Sequence, residues 1–264
     1  MKDKVLYEEL RPREFIERIN ESPIAYLPLG TLEWHGLQLP YGSDGLQAQG
    51  VFRKIAEQAG GIVLPFLFLG PDLVEEKEGK PYYGMDCLSF EEGHPQQLEG
   101  SVYYVEEDFF YSMLDAIMKN LKRAGFQVVV GHGHGPSIKA FSNCKECFKE
   151  KYGLKLYTLT DLGYEGREGI QTDHAAANET SLVMALRPDL ADISELDVEE
   201  VPVGVSGMDP RKYASEEHGK YLIEKNVEKA VGMLKEIVAE LPKHERKIQY
   251  DHVKNNTQIS ENHI

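Results

Sequence analysis

The sequence predicts an α/β fold with a largely parallel central sheet. Short apolar runs rich in β-forming residues, such as IVLPFLFLG at 62–70, recur along the chain and are typical of buried strands. Amphipathic helical stretches separate them, so strand and helix alternate. This alternation favours parallel strands joined by helices. Ligands of such sheets bind beyond the carboxyl ends of the strands, so loops that follow predicted strands are the first place to look for a site.

The first half of the chain is predicted to contain two helix–strand steps. Its elements are a helix at 11–22, a strand at 23–30, a helix at 44–61 and a strand at 62–70. Ser43 or Asp44 is expected to cap the second helix, which paired glycines end. Residues 75–100 are rich in turn residues and aromatics, and predict an irregular excursion or a hairpin.

The second half continues the alternation. Its elements are a helix at 106–126, a strand at 126–131, a helix at about 137–150, a strand at 154–160, a helix that stops near Pro188, a short strand at 201–205 and a helix at about 216–241. We expect one domain over residues 1–242. Residues 243–264 form a polar tail to which no regular structure is assigned.

Charge and composition restrict the partners. The chain has 44 Asp and Glu against 29 Lys and Arg, a net charge of −15, which repels nucleic acid and anionic membranes. No stretch approaches the roughly 18 apolar residues that span a bilayer, and the amino terminus lacks a signal-peptide core. Three cysteines are too few for a disulfide framework, and the pair Cys144 and Cys147 is interpreted as structural. We expect a cytoplasmic protein with a small-molecule substrate.

The first candidate site is the segment EWHGLQLPYGSD, which follows the strand at 23–30. Glu33 and His35 are two residues apart, so in extended backbone they project to the same side, and Asp44 follows at the start of the next helix. Carboxylate and imidazole together are the ligands of zinc, manganese or iron. A strand-end polar cluster with a capping aspartate is the alternative.

Two further clusters follow later strands. GHGHGPS at 131–137 lacks the glycine spacing of a phosphate-binding loop, and its glycines instead surround His132 and His134. TDHAAANETS at 172–181 brings three ionisable residues within seven positions: Asp173, His174 and Glu179. A capped helix start is the alternative interpretation of this segment. Three such clusters in strand-end loops together predict a site.

These three motifs resemble the creatininase family in the same order. PLGTLEWHGLQLPYGSD is similar to the family's first signature, GHGHGPS to its Asn-Gly-His-Gly-Gly-Asn loop, and DHAAANETS to its His-Ala-Gly-x-x-Glu-Thr-Ser segment. The resemblance runs from about residue 23 to about residue 190. It implies a metal-dependent hydrolase with a three-layer α/β/α sandwich, assembled as a homohexamer.

The resemblance also implies the site residues. It predicts two divalent ions, Zn, Mn or Fe, held by five ligands, of which Asp44 bridges the ions: Glu33, His35, Asp44, His134 and Glu179. Glu179 would replace a glutamate that creatininase carries where this chain has Pro136. His174 matches a catalytic histidine, the natural general acid for the leaving group, and Asp173 beside it could orient the ring.

The expected reaction is hydrolysis of a C–N amide bond in a small cyclic or formylated substrate by a metal-bridged hydroxide. One alternative is ring opening of a cyclic ketone, such as an oxidised inositol, at a C–C bond. A second is a non-catalytic metal- or ligand-binding protein. The chain departs from the family at Trp34, His132, Ser137 and Ala176. Three residues of the excursion either line the pocket or face solvent: Tyr82, Tyr83 and His94.

Overall fold

A computed structural model describes residues 4–88, 96–163, 172–243 and 246–247 of the chain. The strands are β1 Ile24–Leu29, β2 Ile62–Val63, β3 Val74–Lys77, β4 Lys80–Tyr83, β5 Val128–Gly133 and β6 Lys155–Thr158. The α-helices are α1 Pro12–Glu21, α2 Ser43–Ala59, α3 Met85–Leu88, α4 Glu107–Ala124, α5 Gly135–Asn143, α6 Lys145–Tyr152, α7 Ala177–Leu186, α8 Pro210–Tyr213 and α9 Glu216–Ala239. None of these helices is long and apolar enough to cross a membrane.

Four strands form a parallel sheet in the order β2, β1, β5, β6. β1 and β5 lie side by side over their whole length, from Ile24 opposite Val128 to Leu29 opposite Gly133. Because the strands are parallel, the loops that follow β1, β5 and β6 leave the same edge of the sheet. The predicted parallel sheet is confirmed, and it brings the sequence motifs to one edge.

Helices cover both faces of this sheet. Alternate residues of β1 point to opposite faces: Ile24 and Tyr26 pack in one core with α2, α7 and α9, whereas Ala25 and Leu27 pack in a second core with α1, α4, α5 and α6. Strands buried on both faces explain the continuous apolar runs of the sequence. The three-layer α/β/α sandwich is confirmed.

Two elements are shorter than predicted. The run at 62–70 pairs regularly only at Ile62–Val63, because Pro65 has no N–H to donate, although Leu64 and Leu67 still donate to carbonyls of β1. The helix expected at 137–150 is two helices separated at Cys144. Cys144 is buried and Cys147 exposed, and both are free thiols.

Two local predictions were wrong. Residues 201–205 form a turn rather than a strand, because Pro202 lacks an N–H and Gly204 has a φ of +70°; only the following Ser206 pairs, with His174. The N-cap of α2 is Gly42, and neither Ser43 nor Asp44 caps the helix, since both lie within its first turn. The carboxylate of Asp44 is therefore available for other contacts.

The excursion at 75–100 contains the predicted hairpin, β3 paired antiparallel with β4, followed by the short helix α3. Tyr82 and Tyr83 lie on β4. His94 lies outside the described residues, as does most of the tail after Lys243. The single-domain boundary at residue 242 stays a prediction.

Gly133 at the end of β5 generates a test of the β1–β5 register. Its φ is +139°, and a Cβ there would collide with the carbonyl oxygen of Leu29 on β1. We expect Gly133→Ala to lower the free energy of unfolding by at least about 2 kcal/mol, measured by urea denaturation. Gly135→Ala is the control, because nothing lies within 4 Å of the added Cβ, and it should change stability by less than about 0.5 kcal/mol. Equal stability of the two variants would contradict this register.

Candidate metal centre

A cavity of about 1000 Å³ opens at the carboxyl edge of the sheet. All three sequence motifs contribute to its wall, through Glu33, Asp44, His134, Asp173, His174 and Glu179. The side chain of His35 is fully buried beneath them. Among the predicted site residues, the structure therefore brings every one to this cavity or directly below it.

The first group of potential ligands is formed by Glu33, Asp44 and His134. Nδ1 of His134 lies 2.8 Å from Oε1 of Glu33 and 3.3 Å from Oδ2 of Asp44. Glu33 follows β1, Asp44 lies in the first turn of α2, and His134 directly follows β5. The adjacency of β1 and β5 therefore places these side chains together.

The second group is formed by His35, Asp44 and Glu179. Nε2 of His35 lies 3.6 Å from Oδ2 of Asp44 and 3.7 Å from Oε2 of Glu179. This Nε2 is buried and has no hydrogen-bond partner in the described part of the chain. Nδ1 of the same ring lies 3.1 Å from the carbonyl oxygen of Glu33, so Nδ1 carries the proton of the neutral ring and Nε2 offers a lone pair.

These distances fit metal coordination. Ligand atoms about 2.1 Å from a tetrahedral ion lie about 3.4 Å apart. In each group the candidate ligand atoms all lie within 4.8 Å of one another, and Asp44 belongs to both groups. Oδ2 of Asp44 is the atom that approaches both His35 and His134. The residues present therefore fit two neighbouring divalent ions with one shared carboxylate.

Electrostatics show that the cluster requires positive charge. Burial by itself would raise the pKa of the Asp44 carboxyl, but His35 and His134 outweigh it and hold that pKa well below its usual range. Burial by itself would lower the pKa of His35, yet Asp44 and the other carboxylates raise it to about 10. Protons on the two imidazoles thus neutralise buried carboxylates. Divalent cations supply the same compensation.

Glu179 is a further buried carboxylate, whose negative charge the two protonated imidazoles do not neutralise. Burial raises its pKa to about 8. Its Oε2 accepts a hydrogen bond from the N–H of Ala175 at 2.6 Å, which aims the carboxylate at His35. Ala175 has a φ of +52°, so the backbone turns sharply just before α7. A buried carboxylate that is costly to ionise without a cation is suited to a metal ligand.

His174 lies beside these two groups and forms a third group of potential ligands with Glu33 and His35. Its Nε2 lies 2.8 Å from the carbonyl oxygen of Trp34, to which it donates, so the neutral ring has its lone pair on Nδ1. Nδ1 lies 3.9 Å from Oε1 of Glu33, and the ring centroid lies 4.4 Å from that of His35. Burial and the neighbouring His35 lower the pKa of His174. The ring can therefore accept a proton at Nδ1 from the direction of the cavity.

Comparison with known proteins identifies the family. The family model described as creatininase, creatinine amidohydrolase, matches residues 8–234. The chain belongs to the creatininase family. As a member of this family it is a metal-dependent amidohydrolase by class.

Three members of known activity or structure have low sequence identity to this chain. The curated creatinine amidohydrolase of Pseudomonas putida is 23% identical over 215 residues, which cover 74% of this chain and 77% of the relative. A crystal structure of creatininase has a TM-score of 0.69 at 21% identity, covering 90% of this chain and 99% of that one. A creatininase solved with manganese has a TM-score of 0.63 at 21% identity, over 89% of this chain and 99% of that one.

Asp173 lines the cavity as expected, but its hydrogen bonds are with the backbone of α7. Its carboxylate accepts hydrogen bonds from the N–H groups of Asn178, at 2.8 Å, and Glu179, at 3.0 Å. These donors lie in the first turn of α7, where helix N–H groups need an acceptor. His174 is oriented by Trp34, and Asp173 supports the helix start that carries Glu179.

Sequence analysis missed two features of the site. Asp72, in the loop before β3, lines the cavity, and its Oδ2 lies 3.3 Å from Nε2 of His134. No motif marked it, because it lies outside the three clusters, just before the charged run EEKE at 75–78. The second feature is the segment 201–206, which forms part of the wall and accepts a hydrogen bond from Trp34 Nε1 at the oxygen of Val203, at 2.8 Å.

The remaining histidine of the second motif, His132, is buried against Phe52. Burial lowers its pKa to about 4, which keeps the ring neutral. His132 is not among the described residues that line the cavity. Tyr83 contributes to a smaller neighbouring pocket of about 310 Å³.

The capping contacts of Asp173 generate a second test. We expect Asp173→Ala to lower the free energy of unfolding by about 1 kcal/mol, because two N–H groups of α7 lose their acceptor. Asp173→Asn keeps one acceptor oxygen for two N–H groups and should lose about half of that. The free energies of unfolding of both variants are to be measured by urea denaturation of the metal-free protein. An alanine variant as stable as the wild type would rule out the capping role.

Proposed function

We propose that this protein hydrolyses a C–N amide bond in a small cyclic or formylated substrate, using two divalent ions held by five side chains. The observation that carries the proposal is the sharing of Asp44 by two groups of potential ligands. Isolated acidic clusters on protein surfaces lack this arrangement of buried imidazoles and carboxylates at ligand spacing. The ions would be held by Glu33, Asp44 and His134 on one side and by His35, Asp44 and Glu179 on the other.

The two ions would supply a water of lowered pKa as nucleophile and polarise the carbonyl of the amide. The side chains have separate tasks. Asp44 sets the spacing of the two binding positions, because its Oδ2 approaches a histidine of each group. Burial of the ligands excludes bulk water and strengthens their electrostatic interactions.

His174 is proposed to transfer the proton to the leaving nitrogen. Its Nδ1 faces Glu33 within the site, while its other nitrogen is held by the carbonyl of Trp34. That hydrogen bond fixes the ring orientation and the tautomer. The lowered pKa leaves Nδ1 free to take up a proton and return it to the leaving group.

The cavity wall favours an uncharged substrate. No Lys or Arg is found among the described residues that line it, so these residues offer no permanently charged side chain to pair with a carboxylate or phosphate group away from the proposed ions. Apolar side chains contribute beside the polar site, among them Met85, Leu88 and Val201. A small neutral ring carrying an amide fits this combination of a polar floor and apolar walls.

Relatives support the choice of ions. Creatininase structures include a form with two zinc ions and a form with manganese, and a creatininase variant is known in complex with creatine. We propose zinc or manganese here, with iron as a third option that the same N and O ligands accept. A cytoplasmic location and a homohexamer remain proposals from the charge pattern and the family resemblance.

Asp44→Asn tests the shared ligand. We expect the purified wild type to hold about two transition-metal ions per chain by elemental analysis, and the variant to lose metal and to hydrolyse cyclic amides roughly 1000-fold more slowly. Asp115→Asn is the control, because Asp115 is a surface residue paired with Lys151, and it should retain full metal and activity.

Unchanged metal content in Asp44→Asn, or a wild type without transition metal, would contradict the proposal. The substrate panel should contain cyclic amides, formamides and cyclic ketones. Turnover of ketones without turnover of any amide would contradict the assignment of the C–N bond.

His174→Ala tests the proton-transfer role separately from metal binding. We expect kcat to fall about 100- to 10,000-fold while both ions are retained, because the other two imidazoles of the site, those of His35 and His134, would be occupied as metal ligands. Steady-state kinetics and elemental analysis on the same sample separate the two effects. Loss of an ion from this variant would instead indicate that His174 is a metal ligand.

A further inference from the structure

The imidazole of His134 lies between carboxylates on both of its nitrogens. Nδ1 faces Glu33 and Asp44, the members of its ligand group. Nε2 lies 3.3 Å from Oδ2 of Asp72. This Nε2 is buried and makes no hydrogen bond of standard geometry in the described ranges, so Asp72 is the acceptor within its reach.

The chemistry of a coordinated imidazole assigns a role to that contact. When one ring nitrogen binds a metal ion, the other carries the proton and needs an acceptor. Since Nδ1 of His134 faces the ligand group, Nε2 is the nitrogen that would donate. A carboxylate acceptor at this position orients the ring and makes the coordinating nitrogen more basic.

The backbone holds Asp72 in place for this contact. Its Oδ1 accepts a hydrogen bond from the N–H of Leu73 at 2.7 Å, which leaves Oδ2 directed toward His134. Gly84 packs against the same carboxylate with a φ of +56°, and a Cβ at that position would collide with Oδ2 of Asp72. The absence of a side chain at residue 84 therefore leaves the space that the carboxylate of Asp72 occupies.

The other ligand histidine is held differently. Nδ1 of His35 lies 3.1 Å from the backbone oxygen of Glu33. The two histidines therefore have acceptors of different charge: a neutral carbonyl for His35 and a carboxylate for His134. This difference allows the role of Asp72 to be tested at one binding position while the other serves as an internal reference.

We propose that Asp72 is a positioning residue that orients His134 and strengthens binding of the ion held by Glu33, Asp44 and His134. The inference rests on the proposed function, because it requires an ion at that position. Asp72 itself is outside all three groups of potential ligands. It acts on the ion through His134.

The test measures metal affinity rather than turnover. Wild type, Asp72→Asn, Asp72→Ala and the control Glu75→Gln are titrated with zinc against a chromophoric chelator, and with cobalt(II) to record the ligand-field spectrum at each position. Glu75 is the matched control because it is a nearby carboxylate on β3 whose contact is an ion pair with Lys77. Thermal unfolding of the metal-free proteins reports on the fold.

We expect Asp72→Ala to weaken one of the two ions by about 10- to 100-fold and to leave the other unchanged. Asp72→Asn retains an acceptor oxygen and should weaken the same ion less. The ligand-field spectrum of cobalt(II) bound to Asp72→Asn should differ from that of the wild type at one of the two metal-binding positions only. Glu75→Gln should match the wild type, and the metal-free variants should unfold within a few degrees of it.

Wild-type affinity for both ions in both Asp72 variants would overturn the inference and leave the proposed function standing. Equal weakening of both ions together with earlier unfolding of the metal-free protein would overturn it as well, since that result indicates a purely structural role. A wild type that binds no ion would overturn the proposed function and with it this inference.

Discussion

The burial of three carboxylates around one point is the constraint on which this structure depends. Glu33, Asp44 and Glu179 are each almost completely removed from solvent. Buried carboxylates are costly to ionise unless positive charge lies beside them. Two histidines supply that charge when protonated, and the proposed divalent cations would supply it when bound. The fold can therefore be understood as a frame that delivers five side chains from separate elements to one place.

The two central strands, β1 and β5, position most of these side chains. β1 and β5 are parallel neighbours in register up to Leu29 and Gly133, so the residues after each strand emerge side by side. The first turn of α2 returns Asp44 to the same edge, and the start of α7 adds Glu179. Because the ligands are far apart in sequence, the site exists only once the sheet and both helix layers have formed.

The residues that the sequence identified share one physical property. His35, His134 and Glu179 stand beside strand ends or helix starts with strong local patterns, and the geometry of a parallel sheet guarantees that such positions converge. Asp72 could not be found in this way, because its importance comes from a single contact across the cavity. The turn at 201–205 was also missed, since alternating apolar residues predict a strand even where a proline and a glycine prevent pairing.

Asp173 illustrates a second limit of sequence. Its position next to His174 suggested a hydrogen bond between them, but Asp173 accepts from the start of α7 and His174 donates to the carbonyl of Trp34. Adjacency in sequence is a weak guide to contact where the chain turns sharply. Spacing patterns succeed in regular elements, and fail in the irregular segment that joins them.

Trp34 lines a neighbouring pocket and connects the wall of the cavity to His174 through two hydrogen bonds. Its indole N–H donates a hydrogen bond to the carbonyl oxygen of Val203 in the wall, and its own carbonyl oxygen accepts one from Nε2 of His174. The second contact uses the backbone, so it survives any change of side chain at position 34 that keeps the chain path. A different side chain at position 34 would therefore change the support of the wall at Val203 while His174 keeps its hydrogen-bond acceptor, so the wall and the proposed proton-transfer group can change independently.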